Sequence, residues 1–135
     1  MTAGRAVLDP NVLISALLSP SGSPAALVTR WLTGEFELVV SEKLLAELER
    51  ALTYPKLRSR ITYEEAAAFV DLLSRTATTV EDPGVSPPRS RDPGDDYLLA
   101  LAEASAATLV TGDHDLLALT ALPVRSPNAF LESLA

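Results

Sequence analysis

The sequence predicts an α/β fold, a three-layer α/β/α sandwich around a central parallel sheet. Three observations carry that expectation. Short apolar runs alternate with longer helical stretches, the pattern of strands joined by helical crossovers. The helical stretches open on recognisable starts, among them Ser23-Pro24, Ser41, Thr62-Tyr63-Glu64-Glu65 and Ser126-Pro127. Finally, 135 residues, 47% hydrophobic and 21% charged, suit a single globular domain, residues 1–135, that folds without a disulfide or metal staple.

In order along the chain, Arg5–Leu8 reads as a first strand, and Pro10 forces the preceding Asp9 into an extended conformation. Val12–Leu18 is expected as a helix, closed by Ser19-Pro20-Ser21-Gly22. Ser23 as N-cap and Pro24 at the first helical position start the next, with Gly34 just past its end. Phe36–Val40 is the second strand. Ser41 caps a helix from Glu42 to Thr53, stopped by Tyr54-Pro55. The capping-box spacing of Thr62 and Glu65 opens a helix reaching Arg75, and Thr76–Val80 follows as a β-rich run. Residues 82–94, rich in proline and glycine, form a loop within the domain. Asp92-Pro93 starts a helix through Ser105, Ala107–Thr111 is a strand, and a short helix, a strand at Pro123–Arg125 and a last helix complete the chain.

The inventory of reactive side chains excludes several chemistries. With no cysteine there is no thiolate zinc site and no thiol nucleophile, and a reducing compartment, the cytoplasm, is the expected setting. One histidine, His114, rules out two-histidine zinc motifs and makes a Ser/His/Asp triad untenable. The opening MTAGRAVLDP lacks the apolar core of a secretion signal, and prolines interrupt the first hydrophobic region, so no membrane association is expected. Any chemistry therefore runs on carboxylates. The net charge of −7, from 18 acidic against 11 basic residues, opposes nucleic-acid binding only if the acids are spread over the surface. Acids converging on a divalent cation would reverse the local field.

Ligands of open parallel sheets bind at the carboxyl ends of strands. Asp9 and Asp113 each follow a strand, although aspartate is also a common turn former. On the Ser41-capped helix, Leu44, Leu45, Leu48, Ala51 and Leu52 form an apolar stripe; Glu47 flanks it on one side and Glu49 on the other, while Glu42 and Arg50 are expected on the far face. Asp92 and Asp95 are explained as cap and first-turn residues of the later helix, leaving Asp96 surplus and in line with Leu99 and Ala100. Four converging carboxylates repel by roughly 3 kcal/mol per pair at about 5 Å, and a hard cation such as Mg²⁺ or Mn²⁺ relieves that directly. Such sites activate water and stabilise the charge developing on a phosphodiester.

Val7-Leu8-Asp9-Pro10-Asn11-Val12-Leu13, Glu47 within Leu44–Leu48, Asp95-Asp96-Tyr97-Leu98-Leu99-Ala100, and Val110-Thr111-Gly112-Asp113-His114-Asp115, in that order, resemble the PIN-domain ribonucleases. The resemblance spans essentially the whole chain, and its nearest branch is the compact bacterial VapC-like toxins of toxin–antitoxin pairs. It implies an endoribonuclease dependent on Mg²⁺ or Mn²⁺, with Asp9, Glu47, Asp96 and Asp113 as catalytic, metal-binding quartet. By the same resemblance Asp115 is an auxiliary metal acid, Asn11 and Thr111 position water or phosphate, and Asp95 rivals Asp96. The implied partners are an RNA substrate, a small antitoxin and a second copy of the chain. One position departs: Pro10 stands where the family usually carries a hydroxyl residue. The alternative reading is a catalytically weak PIN domain that binds a protein. A phosphoacceptor receiver is disfavoured because no lysine follows Lys56. Lys56, Arg58 and Arg60 form a basic cluster read as a solvated helix end, His114 as a solvent-facing loop residue, and Trp31 as core or subunit contact.

Overall fold

The computed structural model describes residues 4–84, 95–119 and 122–134. Its elements are β1 (Arg5–Leu8), α1 (Pro10–Leu18), α2 (Ser23–Leu32), β2 (Glu37–Val40), α3 (Glu42–Leu52), α4 (Pro55–Arg58) and α5 (Tyr63–Thr76), then β3 (Thr78–Thr79), α6 (Asp96–Ala104), β4 (Thr108–Val110), α7 (His114–Leu117), β5 (Val124–Arg125) and α8 (Pro127–Ser133). The five strands form one parallel sheet in the order β3-β2-β1-β4-β5. The α/β architecture read from the sequence is therefore the observed one.

The strand order fixes where a ligand site can form. From β1 the chain winds outward through β2 to β3, then returns across the sheet to β4 on the other side of β1. Right-handed crossovers in the two directions put α1–α5 on one face and α6 and α7 on the other. α1 accordingly packs on α2 and α3, and α3 on α5, whereas α6 packs on β1 and β4. The crevice lies where the winding reverses, at the carboxyl ends of β1 and β4. Ala6, Val7, Leu8, Leu38, Val39, Val40, Leu109 and Val110 are all fully buried, as strands covered on both faces require.

Local starts differ from the sequence expectation in two places. α1 begins at Pro10, two residues earlier than the expected Val12, because Asp9 (φ −52°, ψ 138°) is itself the N-cap and proline's fixed φ suits the first helical position. Gly22, not Ser23, caps α2, and the Ser23 hydroxyl instead meets Asn128 on α8. Past α2 the chain turns through Gly34 at φ +83°, a left-handed conformation that glycine adopts without strain. The capping box at Thr62 and Glu65 is present in full. α4 was not anticipated; it carries Lys56 and Arg58 on the surface, with Arg58 lying 5.4 Å from the centroid of the Tyr63 ring. Trp31 is core and His114 is exposed. The expected helix start at Asp92-Pro93 lies outside the described residues.

Ser41, fully buried, accepts the Leu44 amide at 3.2 Å, and Asp82 Oδ2 accepts the Lys43 amide at 3.0 Å, so the start of α3 has two caps. Ser41→Ala should lower the free energy of unfolding by about 1 kcal/mol in urea titration. An unchanged midpoint would mean that Asp82 alone suffices to hold the helix start.

Candidate active site

Asp9 sits at the carboxyl end of β1, at the reversal point. Its backbone continues the ladder, its amide donating to the Val110 carbonyl at 3.0 Å, which ties it to the neighbouring strand β4. Its side chain is held at both oxygens: Oδ1 accepts from the Asn11 amide at 2.9 Å, and Oδ2 accepts from the Thr111 hydroxyl at 2.8 Å. Thr111 in turn receives the Asp113 amide at 3.1 Å, and Asp113 Oδ1 receives the Asp115 amide at 2.8 Å. One chain of bonds thus runs from α1 through β1 and β4 to α7.

Asp9 is only 5% exposed and Thr111 fully buried. Burying a carboxylate costs several kcal/mol, while a hydrogen bond to a charged group returns about 1.5–3. The balance leaves the charged form disfavoured. Burial pushes the Asp9 pKa above its ordinary value of 3.8; the Asn11 and Thr111 bonds pull it back, and the charges of Asp113 and Glu47 push it further up.

A cleft of about 190 Å³ opens beside Asp9, lined by Asp9, Pro10, Asn11, Glu47, Arg50, Ala51, Tyr54, Asp95, Tyr97 and Leu98. It separates candidates that spacing alone left open. Glu47 faces this cleft, whereas Glu49 lines a different cavity, between α3 and α5. Arg50, expected on the far face, instead lines the cleft and pairs with Glu47 at 3.2 Å, because a guanidinium three residues on reaches back along the helix. Of the helical acids, Asp95 lines the cleft and Asp96 is 3% exposed in the first turn of α6. Asp113 and Asp115 are exposed at the start of α7. Pro10 costs the site little: the N–H it lacks is one the first helical position leaves unpaired, and the bond that orients Asp9 comes from Asn11.

Sequence reasoning assigned no role to Tyr97, Lys43 or Asp82. Tyr97 lines the cleft with its hydroxyl buried, and Lys43 Nζ lies 4.5 Å from its ring centroid. Burial raises the Tyr97 phenol well above its ordinary pKa, reinforced by Glu47, Asp9, Asp82 and Asp95. The signal for Tyr97 was its place beside the acids; nothing local in the sequence marks Asp82, which arrives from the end of β3.

Among the described residues, no group of three or more His, Cys, Asp or Glu side chains is arranged to hold a metal ion by itself. The donor chemistry nevertheless fits a hard divalent cation: every candidate is a carboxylate, and Asp9 is held at a raised pKa partly by its acidic neighbours. The fit is to a sparse site, since Mg²⁺ is usually bound through one or two carboxylates and otherwise keeps water or substrate phosphate.

The family model described as PIN domain matches residues 5–115. The chain belongs to the PIN-domain family. PIN domains are in general nucleases. An uncharacterized protein of Methanocaldococcus jannaschii, MJ1680, is 27% identical over 128 residues, covering 95% of this chain and 79% of the relative. Two solved structures share the fold. PAE2754 from Pyrobaculum aerophilum has a TM-score of 0.62 at 19% identity, over 97% of this chain and 90% of that one. VapBC2 from Rickettsia felis, bound to a DNA fragment from their promoter, has a TM-score of 0.63 at 16% identity, over 90% of this chain and 98% of that one. Among the described residues, no single helix is long and apolar enough to cross a membrane.

The raised pKa of this PIN domain's Asp9 has a consequence for stability. Between 3.8 and its raised value, folded Asp9 binds more protons than unfolded Asp9, so its contribution to stability falls as pH rises through that window. Asn retains an acceptor for the Asn11 amide. Asp9→Asn should therefore raise Tm at pH 7, with the gain vanishing below about pH 4. Parallel Tm–pH curves for the two proteins would refute this.

Proposed function

We propose that this chain is an endoribonuclease whose acidic cleft works with Mg²⁺ or Mn²⁺. The observation that carries the reading is Asp9: a buried carboxylate fixed by two bonds, its charge opposed by Asp113 and Glu47. An anion so placed is costly unless a cation joins it. Asp9, Glu47, Asp113 and an acid of the Asp95–Asp96 pair would hold the ion, with Asp115 beside Asp113. The chemistry that Mg²⁺ or Mn²⁺ supplies at carboxylates is activation of water and neutralisation of charge developing on a phosphodiester. Asn11 and Thr111 keep the Asp9 carboxylate in one orientation, and Arg50 offers guanidinium donors to a phosphate entering the cleft.

The fold shared with VapBC2 supports reading the chain as the toxin of a toxin–antitoxin pair, with a small antitoxin as partner; a dimeric assembly and a cytoplasmic setting are proposed with it. A protein-binding reading has its own support in the larger cavity of about 370 Å³ between α3 and α5, lined by Leu52, Val70, Ala66 and Tyr63.

Purified protein should cleave single-stranded RNA with Mg²⁺ or Mn²⁺ and stop with EDTA. Asp9→Asn should abolish cleavage, and Thr111→Val should reduce it about 10- to 100-fold by releasing the carboxylate it orients. Asn at position 95 and at position 96, made separately, identifies the helical acid by which change loses activity. RNA cut equally fast by wild type and Asp9→Asn would remove the nuclease reading and leave protein binding.

A further inference from the structure

Tyr97 carries the least explained polar atom of the cleft. The residue is 5% exposed, yet its hydroxyl has no hydrogen-bond partner among the described residues. Buried polar atoms are nearly always paired, so an unpaired one calls for a reason. Most acceptors around it are engaged elsewhere, and Asp82 Oδ1 is buried and unpartnered among the described residues like the hydroxyl itself. Asp9 is bonded at both oxygens, Glu47 pairs with Arg50, Asp82 Oδ2 takes the Lys43 amide, and Asp95 has interactions of its own. The donor is left for something that enters.

The surroundings indicate what enters. Lys43, Glu47 and Arg50 recur at helical spacing on one face of α3, so two cations flank the acid along the helix. Lys43 lies over the Tyr97 ring and Arg50 lines the cleft beside it. A guanidinium has five N–H donors, and Glu47 occupies only part of them. This side of the cleft therefore presents donors, and the Asp9 side presents acceptors. A further cation in place of Tyr97 would be drawn onto the nearby carboxylates, whereas a neutral phenol keeps its proton available.

We propose that the Tyr97 hydroxyl, enclosed in this structure, is uncovered when cleft-lining side chains shift toward an RNA phosphate, and then donates to a non-bridging oxygen of that phosphate in a subsite shared with Arg50. The proposal rests on the ribonuclease reading for the identity of the ligand, but its claim concerns binding and is tested without turnover. The competing explanation is a water joining Tyr97 to Asp82, whose Oδ1 is also buried and unpartnered among the described residues. In that case the hydroxyl serves the fold.

Tyr97→Phe in the full chain keeps the ring under Lys43 and removes only the oxygen. Affinity for a short fluorescein-labelled single-stranded RNA, measured by anisotropy in EDTA, should fall about tenfold, the loss of one hydrogen bond to a charged group. Tm should stay at or above that of wild type, because an unpaired buried oxygen has gone. With Mg²⁺, KM should rise by a similar factor and kcat stay within about twofold. Equal RNA affinity in the two proteins overturns the proposal, and so does a fall in Tm of about 5 °C or more, which identifies the hydroxyl as structural. If wild type cleaves RNA and the variant binds and cleaves alike, the subsite fails and the ribonuclease reading stands. If the variant binds RNA more weakly while neither protein cleaves, the subsite stands and that reading fails. Wild-type protein that binds no RNA overturns both.

Discussion

The hydrogen bond between the Thr111 hydroxyl and Asp9 Oδ2, 2.8 Å long and shut away from solvent, is the contact on which the arrangement of the cleft depends. It joins residues 102 apart in sequence, at the ends of adjacent strands. The same hydroxyl oxygen accepts the Asp113 amide, so one side chain sets the position of both strand-end acids. A hydrophobic side chain at position 111 would pack equally well but would strand a buried carboxylate. The site thus carries a carboxylate buried in the core, and that burial pushes the Asp9 pKa up.

That buried carboxylate is placed by topology. β1 is central, with β2 on one side and β4 on the other, so the chain leaves its carboxyl end in one direction and returns from the other. The helices that follow the two central strands, α1 after β1 and α7 after β4, diverge to opposite faces, and the cleft beside Asp9 is lined by α1, α3 and α6 residues. Eight fully buried apolar side chains of β1, β2 and β4, among them Leu8, Val40 and Val110, hold the strand ends in register. Packing of this density converts a five-strand sheet into a rigid frame for a few polar atoms.

Much of this was legible in the sequence because it follows from short-range chemistry. The Ser41 cap, the Thr62–Glu65 capping box and the alternation of apolar runs with helices are local features, and the structure has them. Asp9 and Asp113 could be marked because a strand ends at each. What could not be read involves reach across the fold. Helical periodicity gives the angle of Arg50 but not the length of its side chain, which bends back to Glu47 and into the cleft. Asp82 meets Lys43 across 39 residues, through the pairing of β2 with β3, and no spacing rule records that contact. The two adjacent acids, Asp95 and Asp96, point to different environments because α6 starts between them, a boundary one residue wide.

The charge balance of the whole chain is a poor guide to what this cleft can bind. A net charge of −7 describes the field far from the molecule, where ions screen it within about 10 Å at 0.1 M salt. Inside the cleft the relevant charges are few and fixed: Asp9 and Asp95 on one side, and on the other Glu47 and Arg50 of α3 with Lys43 nearby. The two sides are held apart by different elements, with Asp9 anchored to β4 and Lys43 and Arg50 carried on α3. Opposite charges therefore coexist without collapsing into one ion pair, while Glu47 and Arg50, three residues apart on the same helix, neutralise each other. An exposed pair of that kind contributes at most about 1 kcal/mol, less than one charge-assisted bond from a ligand to either partner. The Glu47–Arg50 contact is thus the weakest link in an otherwise braced site, and the first that an incoming anion or cation would exchange.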